Sequence, residues 1–456
     1  MEVPLQHAIT LGDTVTVMVI GATNQVPGTF SDFEVYTVPG TAPGVAPAYT
    51  IGRASLAGSS CLAPPATCYS PQAYRAAYGV APLVAKGIDG KGRKIVLPEM
   101  VDQANDTDAT DIFSDISAYD AYFHLPPAHL SVVPSAMSKT SPDIAGLEEA
   151  EDVEVAHAVA PGAALEVVLV GRTDHLEMSM LASMKGADVA SLSWASPEAC
   201  PTTAQLDEDR SLISQAVAGR TTVIADSGDY GAAVEACTGW TGPERGVYFP
   251  ASDPLVLGVG GTTLTAAAGT GAYVSEVAWN SLNAEDFGQN GVGPMASGGG
   301  SSDVFARPAY QDGVPGIGAS RGVPDVAGDA SETSGLALIF ELDGGSSPAM
   351  YSAAGTSEAT PLWAGIIALA DQYAGRDLGP VGAAIYLIGK SPAYHAAFHD
   401  VTKGNNTIWL SRFVNGITLS EEFKGYEAGP GWDPVTGWGT PVASVLVPLL
   451  AHDDAN

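Results

Sequence analysis

Gly355-Thr-Ser-Glu-Ala-Thr-Pro-Leu-Trp-Ala-Gly365 puts a serine after a Gly-Thr turn and directly before an apolar run, Leu362 to Leu369, long enough for a buried helix. Ser357 then sits at the N-terminus of that helix. The helix dipole and the unpaired N–H groups of the first turn favour negative charge developing beside a hydroxyl placed there, which suits a nucleophile. An N-cap serving only the helix fits the same residues, so this stretch alone leaves both readings open.

Working outward, helical and strand signals alternate from Pro71 onward. Gln72 to Tyr78, Ala109 to Phe123, Gly146 to Ala160, Leu176 to Lys185 and Gln205 to Ala218 read as helices. Lys94 to Pro98, Leu165 to Val170, Ala187 to Leu192, Thr221 to Ala225 and Leu255 to Val259 are short apolar runs that read as strands. Short apolar strands separated by helices predict an α/β fold, with a parallel sheet covered by helices on both faces. The first 60 residues read differently: Thr14 to Gly21 alternates like a strand, and Pro39 to Pro47 has linker character. A boundary near Ser60 therefore separates an N-terminal segment, 1–60, from a main domain over 61–456.

The chain has 51 Asp and Glu against 19 Lys and Arg, a net charge of -32, and a pI near 4.3. Such a surface repels phosphate backbones and anionic membranes, which argues against nucleic acid as a partner. It also suits work in acid, where protonation relieves self-repulsion. No apolar run of about 18 residues appears, so no membrane span is expected, and a monomer is expected. Met1 to His7 lacks a basic n-region and an apolar h-region, so an exported protein would carry its leader outside this sequence. The four cysteines, Cys61, Cys68, Cys200 and Cys237, lie in loop-like sequence without zinc spacing. They suit two disulfides, Cys61 with Cys68 and Cys200 with Cys237, and an oxidising compartment.

Five further stretches could carry chemistry. Between Gly146 and Gly162 five carboxylates fall within seven positions, and a charge run of this kind is usually a solvated face. Here Glu148 and Asp152 are four apart and share one helical face, while Val155, Ala156, Val159 and Ala160 point to burial. Two carboxylates side by side in a partly buried place share a proton and titrate as a pair, a plausible base in acid. Val223 to Gly231 runs an apolar strand into a Gly-rich turn, so Asp226 or Asp229 projects from a C-terminal strand end, where parallel sheets place their ligands. Asp-Ser-Gly within it also suits aspartic proteases, which need a second copy that this chain lacks. Ser297-Gly-Gly-Gly-Ser301 offers a backbone that another chain or a ligand could approach closely. Near the C-terminus, His399-Asp-Val-Thr402 and Ala428-Gly-Pro-Gly-Trp-Asp433 present hard oxygen donors that suit calcium.

Together, and in this order, these motifs resemble the sedolisin family of serine-carboxyl peptidases over about residues 70 to 445. The resemblance implies a subtilisin-like fold, with Ser357 as nucleophile, Glu148 as general base, Asp152 as the carboxylate sharing a proton with it, and Asp229 in the oxyanion hole. It also implies one structural Ca2+ held by Asp400 and Asp433 and by backbone oxygens of Val401, Gly429 and Gly431. The activity implied is a secreted, acid-active endopeptidase acting on proteins or peptides. A tripeptidyl exopeptidase and an inactive binding protein on the same fold are the rival readings. Two features depart from the family. Glu151 stands where an apolar residue is usual, leaving Glu149 and Glu151 as rivals within the dyad, and residues 1–60 are shorter than the family's pro-domain.

Overall fold

The computed structural model describes residues 61–62, 68–101, 112–134, 147–171, 176–235, 237, 243–281, 295–341, 348–414 and 417–452. The expected boundary near Ser60 and the strand expected over Thr14 to Gly21 lie outside them.

The described chain begins with α1 (Pro71–Ala77), then β1 (Lys94–Val101), α2 (Ile112–Phe123), β2 (His129–Pro134) and α3 (Leu147–Val159). It continues through β3 (Ala164–Gly171), α4 (Leu176–Ser183), β4 (Val189–Leu192), α5 (Thr203–Ala218), β5 (Thr222–Asp226), β6 (Leu257–Ala266), β7 (Tyr273–Ala278) and β8 (Val326–Asp329). Helix α6 (Thr356–Ala374) and the C-terminal α7 (Ala443–His452) complete the main layers. Strand order in the central eight-stranded sheet is β7-β6-β5-β4-β1-β3-β2, with β8 also paired to β6. Every pairing in it is parallel except β6 with β7.

Burial on both faces explains why these strands read as uninterrupted apolar runs. In β1, Ile95 and Leu97 enter the larger core, shared with α3, α6 and α7, while the intervening Val96 enters a second core shared with α4 and α5. The sheet is thus sandwiched between two helical layers, as expected. Three strands of the central sheet went unread: the four-residue β8, β2 and β7. β2 lies at one edge, where its polar His129 and Ser131 break the apolar pattern, and β7 is the antiparallel strand at the other end. Cys61–Cys68 and Cys200–Cys237 are both disulfide-bonded, with Cα separations of 5.4 and 5.0 Å.

Helix α6 lies within the larger core. Leu362, Trp363, Ile366, Ile367 and Leu369 are fully buried, and Trp363 Nε1 donates to the Ala327 carbonyl of β8 at 2.8 Å. This fixes the position of its first turn over the C-terminal ends of β1, β4 and β5.

Candidate active site

Ser357 is the second residue of α6. The cap is Gly355, at φ 97° and without a side-chain bond, so Ser357 is not the N-cap. Glycine is required at 355 twice over: the backbone is left-handed there, and a Cβ would lie 3.0 Å from Asp229 Oδ2. Pro361, inside the helix, has no N–H to give to the carbonyl of Ser357. Ser193 Oγ, at the end of β4, stands 3.4 Å from that carbonyl and 2.8 Å from Asp152 Oδ1. Its single proton goes to the closer carboxylate.

The acidic run does not form a solvated face. Glu149, Glu151, Asp152 and Glu154 are all buried, and Glu148 is partly exposed with its Oε1 sealed from solvent. Glu148 and Asp152 share a helical face as expected, and the Glu148 carboxyl lies beside the Ser357 side chain. Burial raises Glu148 well above the usual carboxyl range and the Asp152 charge adds to this, while the neighbouring Ser357 hydroxyl pulls it down. Asp152 hydrogen-bonds a residue that sequence reasoning missed, Glu99 at the end of β1. Burial pushes Asp152 up to about 7, and the bonds from Glu99 and Ser193 restrain it. Glu99, buried and facing Asp152, is raised well above its ordinary value. Glu99 and Asp152 therefore share a proton and titrate as a pair. Glu99, Asp152 and Glu148 form a line of carboxyls running toward Ser357.

Of the two rivals, Glu149 is buried and Glu151 Oε1 accepts the Ala354 N–H at 3.2 Å; Glu154, also in the run, accepts the Ile339 N–H at 2.8 Å. On the opposite side, Thr356 donates its N–H (2.8 Å) and its hydroxyl (2.7 Å) to Asp229 Oδ1. Burial raises Asp229, and these two bonds restrain it. Asp226 is buried deeper and accepts the Gly228 N–H at 3.1 Å; burial and the neighbouring Asp229 push it up to about 8. Of the two aspartates, Asp229 is the partly exposed one. Ser357, Glu148, Asp152 and Asp229 are thus brought together, on α6, α3 and the loop after β5.

Ser297 to Ser301 is approached by its own chain. Gly298 N donates to Gly228 O at 2.7 Å, and a Cβ on Gly298 would stand 2.0 Å from Ser227 O, so this glycine is demanded by backbone packing. The segment thereby braces the turn that carries Asp229.

The expected calcium ligands also converge. Gly431 N donates to Asp400 Oδ1 at 3.1 Å, joining the two loops, and Gly429 N donates to Asp433 Oδ2 at 3.1 Å. Thr436 Oγ1 lies 3.0 Å from Asp433 Oδ2 and 3.5 Å from the Val401 carbonyl. Among the described residues no three His, Cys, Asp or Glu side chains converge on one point, so a cation here would rely on carbonyl oxygens for much of its shell. Hard oxygen donors of mixed kind are the set calcium takes, and in that respect the residues fit.

No family model matches the chain. It is similar to kumamolisin of Bacillus sp. (strain MN-32), 31% identical over 402 residues that cover 84% of this chain and 64% of that protein. It is also similar to human tripeptidyl-peptidase 1, 28% identical over 370 residues, 74% of this chain and 58% of that protein. The chain thus spans somewhat under two thirds of the length of these curated relatives. Among solved structures, Pseudomonas sedolisin, a serine-carboxyl proteinase, superposes with a TM-score of 0.68 at 23% identity, over 87% of this chain and 100% of that one. That likeness carries the fold.

Proposed function

The chain belongs to the sedolisin family of serine-carboxyl peptidases, and from that premise we propose that it is an acid-active endopeptidase with Ser357 as nucleophile. The observation that carries the reading is the Glu148 carboxyl beside the Ser357 hydroxyl, with Asp229 held by Thr356 on the other side of the first turn of α6.

In this mechanism Glu148 takes the Ser357 proton as the hydroxyl oxygen attacks the scissile carbonyl. The negative oxygen of the tetrahedral intermediate accepts a hydrogen bond from protonated Asp229, whose Oδ1 is already held by Thr356. Glu148 then gives its proton to the leaving amine, and a water activated by the same carboxylate hydrolyses the acyl-enzyme. Asp152 and Glu99 hold a proton behind Glu148, so these carboxyls titrate together. The oxyanion donor must be protonated, and Asp229 loses its proton as the pH rises, which confines the activity to acid. Asp400, Asp433 and the carbonyls of Val401, Gly429 and Gly431 would hold a structural calcium ion that ties two loops together and stabilises the folded state by mass action. Two disulfides and acid chemistry suit secretion, with protein or peptide substrates.

Hydrolysis of a denatured protein, measured from about pH 2 to about pH 8 with pepstatin present, tests the reading. Wild type should peak in acid and Ser357→Ala should be inactive while melting normally; activity retained by the variant would refute the nucleophile. The similarity to tripeptidyl-peptidase 1 favours tripeptide release as a second reading. Equal cleavage of peptides with free and acetylated N-termini would exclude it.

A further inference from the structure

We infer that Glu151 is a positioning residue that fixes the turn carrying the nucleophile, an inference that rests on the reading of Ser357 above. Three side chains hold the segment from Ala354 to Ser357. Asp229 accepts from Thr356 and Glu148 lies beside the Ser357 side chain; Glu151 Oε1 accepts the N–H of Ala354 at 3.2 Å. That N–H lies just ahead of Gly355, the residue whose φ of 97° turns the chain into α6.

Glu151 is buried, with 4% of its surface exposed, so its acceptor has little water to compete with it. It projects from α3, one turn along from Glu148. A single helix thus sets one carboxyl beside Ser357 and anchors the backbone leading to it with another. A shift of α3 relative to α6 would carry both contacts with it, so the distance from base to nucleophile is set by the same helix that supplies the base. Burial, and then the neighbouring carboxyls of Glu148, Glu358 and Asp152, raise Glu151 well above its ordinary value and so favour its neutral form. What it offers Ala354 is therefore a carbonyl oxygen, which glutamine supplies in the same place.

The pair Glu151→Gln and Glu151→Leu separates acceptor from bulk, assayed with a short chromogenic peptide and followed by thermal melting. Glu151→Gln should keep kcat within about threefold of wild type. Glu151→Leu, equal in bulk but without an acceptor, should lose on the order of 10- to 100-fold in kcat with KM little changed, because the substrate-binding surface is intact while the nucleophile is misplaced. Should Glu151→Leu fail to fold, Glu151→Met replaces it, and Glu151→Gln alone remains decisive. Full activity in a folded Leu or Met variant, or a loss beyond tenfold in a folded Gln variant, would overturn the inference. An inactive wild type, or an active Ser357→Ala, would instead overturn the reading it rests on.

Discussion

Two neighbouring aspartates show how environment rather than residue type assigns roles. Asp226 and Asp229 stand three positions apart after β5, and burial raises both. Thr356 Oγ1 lies 2.7 Å from Asp229 Oδ1 but 3.4 Å from Asp226 Oδ2, so the hydroxyl proton belongs to Asp229. With Oδ1 occupied by two donors, the second oxygen of Asp229 is the one left to carry a proton and give it to an oxyanion. Asp229→Ala removes that donor and should lower kcat by about 100- to 1000-fold in acid, with Tm changed by only a few degrees. Asp229→Asn keeps a donor on that side at every pH and should lose less. Steady-state kinetics at the acid optimum check both, and a loss below tenfold for the alanine variant would remove Asp229 from the oxyanion hole.

At the scale of elements, the site depends on how closely α3 and α6 approach. A Cβ on Gly365 would stand 2.6 Å from both Cβ and Cγ1 of Val159, so glycine lets the two helices close together there. Gly365→Ala gains helix propensity but overpacks this crossing, with a net cost of about 1 to 2 kcal/mol. Spreading the helices moves Glu148 away from Ser357, two to three turns along, so kcat should fall further than stability alone explains. Thermal melting with kinetics on the variant reads both, and a more stable, fully active protein would refute the crossing as a constraint. Much of this scale was legible in the sequence. Strands buried on both faces are apolar throughout, and the carboxylates at 148 and 152 share a face by helical geometry alone. What escaped was non-local. Glu99 is one acidic residue on a strand 49 positions before Glu148, and only its place at a strand end marks it. The burial of Glu151 and Glu154 was equally hidden, because their partners, Ala354 and Ile339, lie about 200 residues downstream.

Over the whole molecule, the buried carboxyls couple folding to pH. Burial is the main cause that pushes Asp152 and Asp371 up to about 7, and Asp226 and Asp329 up to about 8. In the unfolded chain such groups titrate near their ordinary value, about 4. Between those limits the folded state binds more protons than the unfolded one, so stability falls as pH rises. Their contribution is fully present below about pH 4 and is lost as pH climbs through 7 to 8. The net charge of -32 at pH 7 works in the same direction, since repulsion among surface carboxylates grows as they ionise. The same burial that raises Asp229 therefore makes the fold one that is most stable in acid. Thermal melts of Ser357→Ala, chosen so that self-digestion does not interfere, should show Tm lower at pH 8 than at pH 4 by on the order of 10 °C. A Tm that stays level or rises over that range would mean that these carboxyls ionise in place, and the acid requirement of the chemistry would then need another source.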